Sequence, residues 1–472
     1  MRTPRISIFI LLFLYSLKIA FGKNLICYWD VTSSQRYGDS KFTSNHLIRG
    51  SANCSHLVYA SAHLDAKTFG IHFPHHIHLI TKPKTLKQSH PQLKVYLSLG
   101  GDGDANDKYD QLKYLHLMEK SEHVQRKFIN RTIEFLKLYQ FDGLDLAFPL
   151  PRNQPSQQSN IGAFLNDVNR MWGSPTTTTQ FSKFRPLFRK FLAAVKEACG
   201  RNNLQLTLTV LPNVNSSHYY DVSEIHKNVE FINLFAFDFN TPERNPNEAD
   251  YSAPLYFNAQ PRPQPYANVD FQVNYWLQNG CPGNKLNLGI ASYGRAWKLT
   301  IDSGLSGTPI VEDTQGPANF GKMKAHNSLL SWATICKHFP PRRLYGRPLM
   351  EYTDRYGNYA FRVANQNNTG GIWISYDGPK FAATKAKYAM DKALGGVVLY
   401  DLSRDDFRGQ CGNIDFPILQ SIRGVLSIKA NPQKRVISAT PRRIKMLVKP
   451  SRKSWAPTQV TDALHLLSVL TR

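Results

Sequence analysis

Short runs that are apolar on both faces recur along the chain, spaced widely enough to hold a helix between them. "NLICYWD" begins the series; "HLVYASAHL", "LKVYLSLGG", "FDGLDLAF", "LQLTLTVLP", "FINLFAFDF", "LNLGIASYG" and "GGVVLYDLS" continue it. Strands covered by helices on both sides lose the alternation of a half-solvated sheet, so these runs read as parallel strands. The spacers include helix-length amphipathic segments such as "HVQRKFINRTIEFLKLY". Eight such units in one domain predict an α/β fold, the (β/α)8 TIM barrel, whose functional loops leave the carboxyl ends of the strands. "GGDGD", "AFPLP", "LPNVNSS", "DFNTP" and "YGRAW" should therefore meet at one face.

Two stretches break the rhythm. After the fourth strand, "RNQPSQQSN" to "GSPTTTTQ" is too long and polar for a barrel loop of about 2 to 6 residues. Between the seventh and eighth strands lies a segment containing the β-rich "PLMEYTDRYGNYAFRV". It predicts a small inserted α+β domain over residues 297–371, walling one side of the cleft, with the barrel occupying 23–296 and 372–424.

The chain ends modify this picture. Arg2 and Arg5 precede the apolar run "ISIFILLFLY", and Ala20 and Gly22 stand at signal-peptidase spacing, so residues 1–22 read as a signal peptide. The run is about half of the ~20 residues that cross a bilayer. A secreted, extracellular protein without a membrane span is expected. The formal net charge of +24 would suggest nucleic acid, but a secretory leader argues against that partner. From Val425 to Arg472 ten Lys or Arg stand against one acid, Asp462, and this basic tail reads as disordered.

Six cysteines in an oxidising compartment are candidates for disulfides, and none forms a Cys-x-x-Cys pair, so no metal site is expected from them. The histidines of "HFPHHIH", at His72, His75, His76 and His78, read as a surface loop. No cofactor motif is present. Of the sequons at Asn53, Asn130, Asn215 and Asn367, Asn215 in "NVNSS" reads as the best exposed glycosylation acceptor.

"FDGLDLAFPLP" resembles the strand-four motif of the family 18 glycoside hydrolases, the chitinases, Phe-Asp-Gly-x-Asp-x-Asp-Trp-Glu-x-Pro. "LSLGG", "FAFD", "YGR" and "LGGVVLYDLSRDDF" extend the resemblance to about Arg423. In that family a protonated Glu donates to the glycosidic oxygen while the substrate's N-acetyl group attacks, oriented by the preceding Asp, which also helps to raise the acid's pKa. Matched position by position, Ala147 replaces the orienting Asp and Pro149 the acid. Asp142 and Asp145 remain, and the resemblance implies that they support the motif from within the barrel. Phe237 stands where a tyrosine would hydrogen-bond the N-acetyl group, and Tyr400 where a tryptophan would floor the central subsite.

Longer segments, "LPNVNSSHYYD" and "FDFNTPERNPNEADYSAPLY", resemble the imaginal disc growth factors, a secreted, catalytically inactive chitinase-like branch. The resemblance implies a non-enzymatic growth factor promoting cell proliferation, growth and motility, cooperating with insulin signalling, with roles in development, cuticle integrity and wound or immune response. The alternative is a chitin-binding lectin or matrix protein. Partners are then an unidentified cell-surface receptor or an extracellular glycan, and the protein is expected to be a monomer. Candidate cleft residues are Asp102, Phe148, Asp238, Tyr293, Arg295 and Tyr400. The family match also pairs Cys27 with Cys54 and Cys336 with Cys411, leaving Cys199 and Cys281 as buried thiols in preference to a third bridge.

Overall fold

The computed structural model describes residues 23–73, 83–104, 112–150, 183–258, 265–303, 310–318, 329–339 and 349–427. The stretch read as a signal peptide, most of the histidine tract, the polar insertion after the fourth strand and the basic tail beyond Ser427 lie outside the described residues, while the helix Pro417–Leu426 runs past the expected barrel end at 424.

Eight parallel strands form the barrel: Asn24–Asp30 (β1), His56–Leu64 (β2), Lys94–Gly100 (β3), Gly143–Ala147 (β4), Gln205–Val210 (β5), Ile232–Leu234 (β6), Leu286–Ala291 (β7) and Gly396–Tyr400 (β8). Each pairs with the next, and β1 pairs with both β2 and β8, which closes the sheet. The expected β/α barrel is thus present, with one strand per apolar run, although "FINLFAFDF" supplies only the three residues of β6.

The sealed interior explains the unbroken apolar runs, because one face of each strand fills the barrel and the other meets the helices. The helix Glu122–Leu138 buries Phe128, Ile129, Thr132, Ile133 and Leu136, a stripe at helical spacing. Phe184–Arg201 does the same with Phe188, Phe191, Leu192 and Val195.

A second, antiparallel sheet of five strands lies in the chain between β7 and β8, in the order Leu329–Ser331, Tyr293–Leu299, Gly371–Tyr376, Asn358–Arg362, Met350–Thr353. Its own core gathers Trp297, Trp373, Tyr359, Phe361 and Tyr251. Two of its strands cross the expected boundaries of 297 and 371, since Gly294 pairs with Tyr376 and Leu299 with Gly371. "YGR" is therefore the first strand of the small sheet and not the end of a barrel strand.

Cys27 is bonded to Cys54, joining β1 to the turn before β2. Cys336 is bonded to Cys411, joining the short helix Trp332–Cys336 to the loop after β8. Asp406 lies beside that second bridge, but oxidised sulfurs offer no thiolate to a metal. Cys199 and Cys281 are free and buried, and burial pushes both thiols up to about 12. Among the described residues no helix is long and apolar enough to cross a membrane.

Candidate functional site

β4 carries the motif on which the reading of function turns. Gly143 to Leu150 is buried throughout. The end of β4 is pinned to β3 by Gly101, whose N–H donates to Ala147 O at 2.7 Å. Gly100 permits that approach, because it sits at φ +110° and a Cβ there would lie 2.2 Å from Ala147 O.

The alternation of strand side chains then decides what can reach the barrel mouth. Phe148 is fully buried and faces the helices, packing on Tyr114, Phe188 and Phe191. It does not line a cleft, which corrects the expectation placed on it. Ala147 and Pro149, on either side of it, bring only a methyl group and a pyrrolidine ring. Pro149 also has no N–H to donate.

The retained aspartates divide. Asp145 sits inside the barrel and accepts from the hydroxyls of Tyr28, Ser98, Thr207 and Thr209 at 2.8 to 3.0 Å. Burial raises its pKa against those donors. Asp142, by contrast, lies at the amino end of β4, where it accepts from Val95 N and pairs with Lys87 at 3.0 Å. It holds the foot of the barrel and does not support the motif from within, as had been expected.

Asp238, Tyr293 and Arg295 come together as one buried unit. Arg295 Nε donates to Asp238 Oδ1 at 2.8 Å and Nη2 to Oδ2 at 2.6 Å. Tyr293 Oη donates to Oδ2 at 2.6 Å, and Ser252 Oγ to Oδ1 at 3.2 Å. Burial would raise the Asp238 pKa, but the Arg295 charge and these hydrogen bonds outweigh it and hold the carboxyl below its ordinary range. Asp238 itself adopts φ +54°, with its carbonyl accepting from Asn213 and Arg244. The arrangement ties the loop after β6 to the first strand of the small sheet. Ser252 and Arg244 were not singled out in the sequence, where they sit among many polar residues with no periodic signal.

Tyr400 ends β8 and keeps part of its surface exposed. Its ring stacks on Phe237 at 5.8 Å and lies 5.0 Å from Phe235, 5.6 Å from Tyr28 and 6.4 Å from Tyr293. Asp102 is exposed in the turn Asp102–Asp104 beyond β3. Burial, then the charge of Asp102, raises the Tyr400 phenol. The mouth is thus an aromatic cluster beside a neutralised ion pair. It can stack a ring, but Asp145 and Asp238 are already engaged by several donors each and are poorly placed to act as general acids.

Asn215 differs from its expected exposure: it is 5% exposed, and its Oδ1 accepts from Ser217 N at the start of the helix Ser216–Tyr219. Asn53 is also buried, next to the bridged Cys54. Asn367 and Asn130 are exposed, Asn367 in an open turn and Asn130 on a helix. Peptide mapping of secreted protein is expected to find higher glycan occupancy at Asn367 than at Asn215. The reverse ranking would show that the Asn215 cap opens.

Comparison with known proteins places these features in a wider set. The family described as glycosyl hydrolases family 18 matches residues 24–405. Chitinase-like protein Idgf1 of Drosophila simulans is 44% identical over 416 residues, covering 85% of this chain and 94% of its own. Chitinase-like protein Idgf3 of Drosophila melanogaster is 40% identical over 424 residues, covering 86% and 95%. Among solved structures, catalytic domain 2 of the Ostrinia furnacalis Group II chitinase superposes with a TM-score of 0.69 at 26% identity, covering 87% and 98%. Human YKL-39, described as a pseudo-chitinase with retained chitooligosaccharide binding, superposes with a TM-score of 0.68 at 25% identity, covering 86% and 100%.

Proposed function

Since the chain belongs to family 18 of the glycosyl hydrolases and stands among its chitinase-like members, we propose that it is a secreted, non-hydrolytic growth factor. In this reading it promotes cell proliferation, growth and motility in cooperation with insulin signalling, and serves development, cuticle integrity and the response to wounding or infection. The observation that carries the non-hydrolytic part is the exit of β4, where Ala147 and Pro149 stand in place of an orienting carboxylate and a proton donor. Loss of a positioned acid alone costs about 10²- to 10⁴-fold in rate. The growth-factor part is supported by the resemblance of the segments after β5 and β6 to the imaginal disc growth factors.

The test is to add purified protein to serum-starved insect cells with and without insulin. A dose-dependent rise in cell number, larger with insulin, is expected. No response at any dose, against a responsive positive control, would overturn the growth-factor reading.

A second reading, a chitin-binding lectin, is favoured by the retained chitooligosaccharide binding of YKL-39. Tyr400 stacked on Phe237 would provide the platform. Saturable binding of chitooligosaccharide by a protein inert on cells would favour this second reading.

A further inference from the structure

A cavity of about 650 Å³ opens between the loop after β1, the loop after β8 and the segment Leu329–Lys337 of the inserted region. That volume is in the range of small-ligand sites. Four cations line it, Arg36, Lys337, Arg404 and Arg408, against two acids, Asp39 and Asp406. Arg36 is neutralised by Asp30 at 2.6 Å. Asp406 uses one oxygen on Cys411 N.

The remaining cations are differently placed. Among the described residues Arg408 donates to the carbonyls of Asp39 and Lys41. Among the described residues Lys337 and Arg404 form no ion pair, and the Arg404 guanidinium makes no hydrogen bond, although the residue is half-buried. A buried charge is costly unless something compensates it. Burial, then the nearby charge of Arg36, depresses the Arg404 pKa, and the charges of Asp401 and Asp30 offset this only in part. At the rim Tyr37 leaves 94% of its surface in solvent, a ring free to lie against a sugar face.

We propose that this cavity binds an acidic extracellular glycan, with Arg404 receiving a carboxylate or sulfate group, Lys337 and Arg408 adding charge, and Tyr37 stacking on the adjoining sugar. Guanidinium suits such a group because its N–H fork matches two oxygens at once. The inference goes beyond the growth-factor reading and does not depend on it.

The experiment is calorimetric titration of the full chain at about 0.15 M ionic strength with three probes: a heparin-derived tetrasaccharide, N-acetylchitotetraose and inorganic sulfate. Saturable binding of the acidic tetrasaccharide is expected, with the neutral tetrasaccharide and sulfate each at least about tenfold weaker, or about 1.4 kcal/mol. Arg404→Leu should lose at least about tenfold in affinity for the acidic probe, while Arg404→Lys retains more of it. Should Arg404→Leu fail to fold, the double substitution Lys337→Gln and Arg408→Gln serves the same purpose from a half-buried and an exposed position. Unchanged affinity in these variants would overturn the proposal. So would a loss of binding confined to Lys449→Gln, Arg452→Gln and Lys453→Gln in the basic tail. Sulfate binding as tightly as the tetrasaccharide would mark a small-anion site and overturn the glycan assignment.

Discussion

Asp238→Ala is expected to destabilise the chain by roughly 3 to 5 kcal/mol, because it strands the buried Arg295 guanidinium without its partner. The carboxylate accepts from Arg295 through two nitrogens, from Tyr293 and from Ser252. With Asp238 gone, Glu243, at 3.8 Å and partly exposed, would be a weaker counter-charge for the cation. Arg295→Leu should cost a similar amount by stranding the carboxylate. The double variant should cost less than the sum, as contacting residues are coupled by about 0.5 to 3 kcal/mol.

The pH dependence has a definite sign. The Asp238 pKa is depressed in the folded chain, so its contribution is present above the ordinary carboxylate pKa and is lost as pH falls through the depressed folded value. Urea unfolding from about pH 7 down to about pH 3 should show the gap between native chain and Asp238→Ala narrowing in acid. A gap that stays constant, or one below about 1 kcal/mol at neutral pH, would show that the pair is solvent-screened and does not clamp the loop to the sheet.

Rebuilding the lost acids is the second large effect, and it should fail. The double substitution Ala147→Asp and Pro149→Glu is expected to leave chitinase turnover at least ~10²-fold below that of an active family member. Three features stand in the way. The segment around Pro149 is buried and folded back on itself, with Leu150 N donating to Phe148 O at 2.8 Å, so a new Glu side chain would have to displace packed groups. Phe237 has no hydroxyl for an N-acetyl group, and its ring is stacked on Tyr400. Asp238 is neutralised by Arg295 and would not help to polarise an incoming acid. The new carboxylates would be desolvated as well, so stability should fall by several kcal/mol. Recovery of family-level turnover in the double variant would show that only the two side chains had been lost and that the mouth is otherwise intact.

The barrel was legible because a buried parallel strand must be apolar on both faces, and each of the eight runs became a paired strand. What periodicity could not give was the point at which the chain leaves the barrel. Ser292 is the single residue between β7 and the next strand, too short an interruption of "LNLGIASYGRAW" to mark where the pairing changes from parallel to antiparallel. At the site, the absence of carboxylates at positions 147 and 149 was a matter of reading two letters. The roles of their neighbours depended on three-dimensional partners. Phe148 was expected in a cleft, but the strand turns it outward onto Tyr114, Phe188 and Phe191. Asn215 was expected in solvent, but its side chain caps a short helix. Arg404 carried no signal, because a lone basic residue in a loop is ordinary until the groups around it are known.

The central claim is that this chain keeps the barrel of a glycosidase without its chemistry. It is tested most directly by incubating the purified native protein with chromogenic chitobiose and chitotriose substrates, alongside a mock preparation and an active family 18 chitinase. The account predicts release no greater than in the mock preparation at any pH. Release above the mock level, abolished by substituting Tyr400 or Asp238 in a chain that still folds, would contradict it.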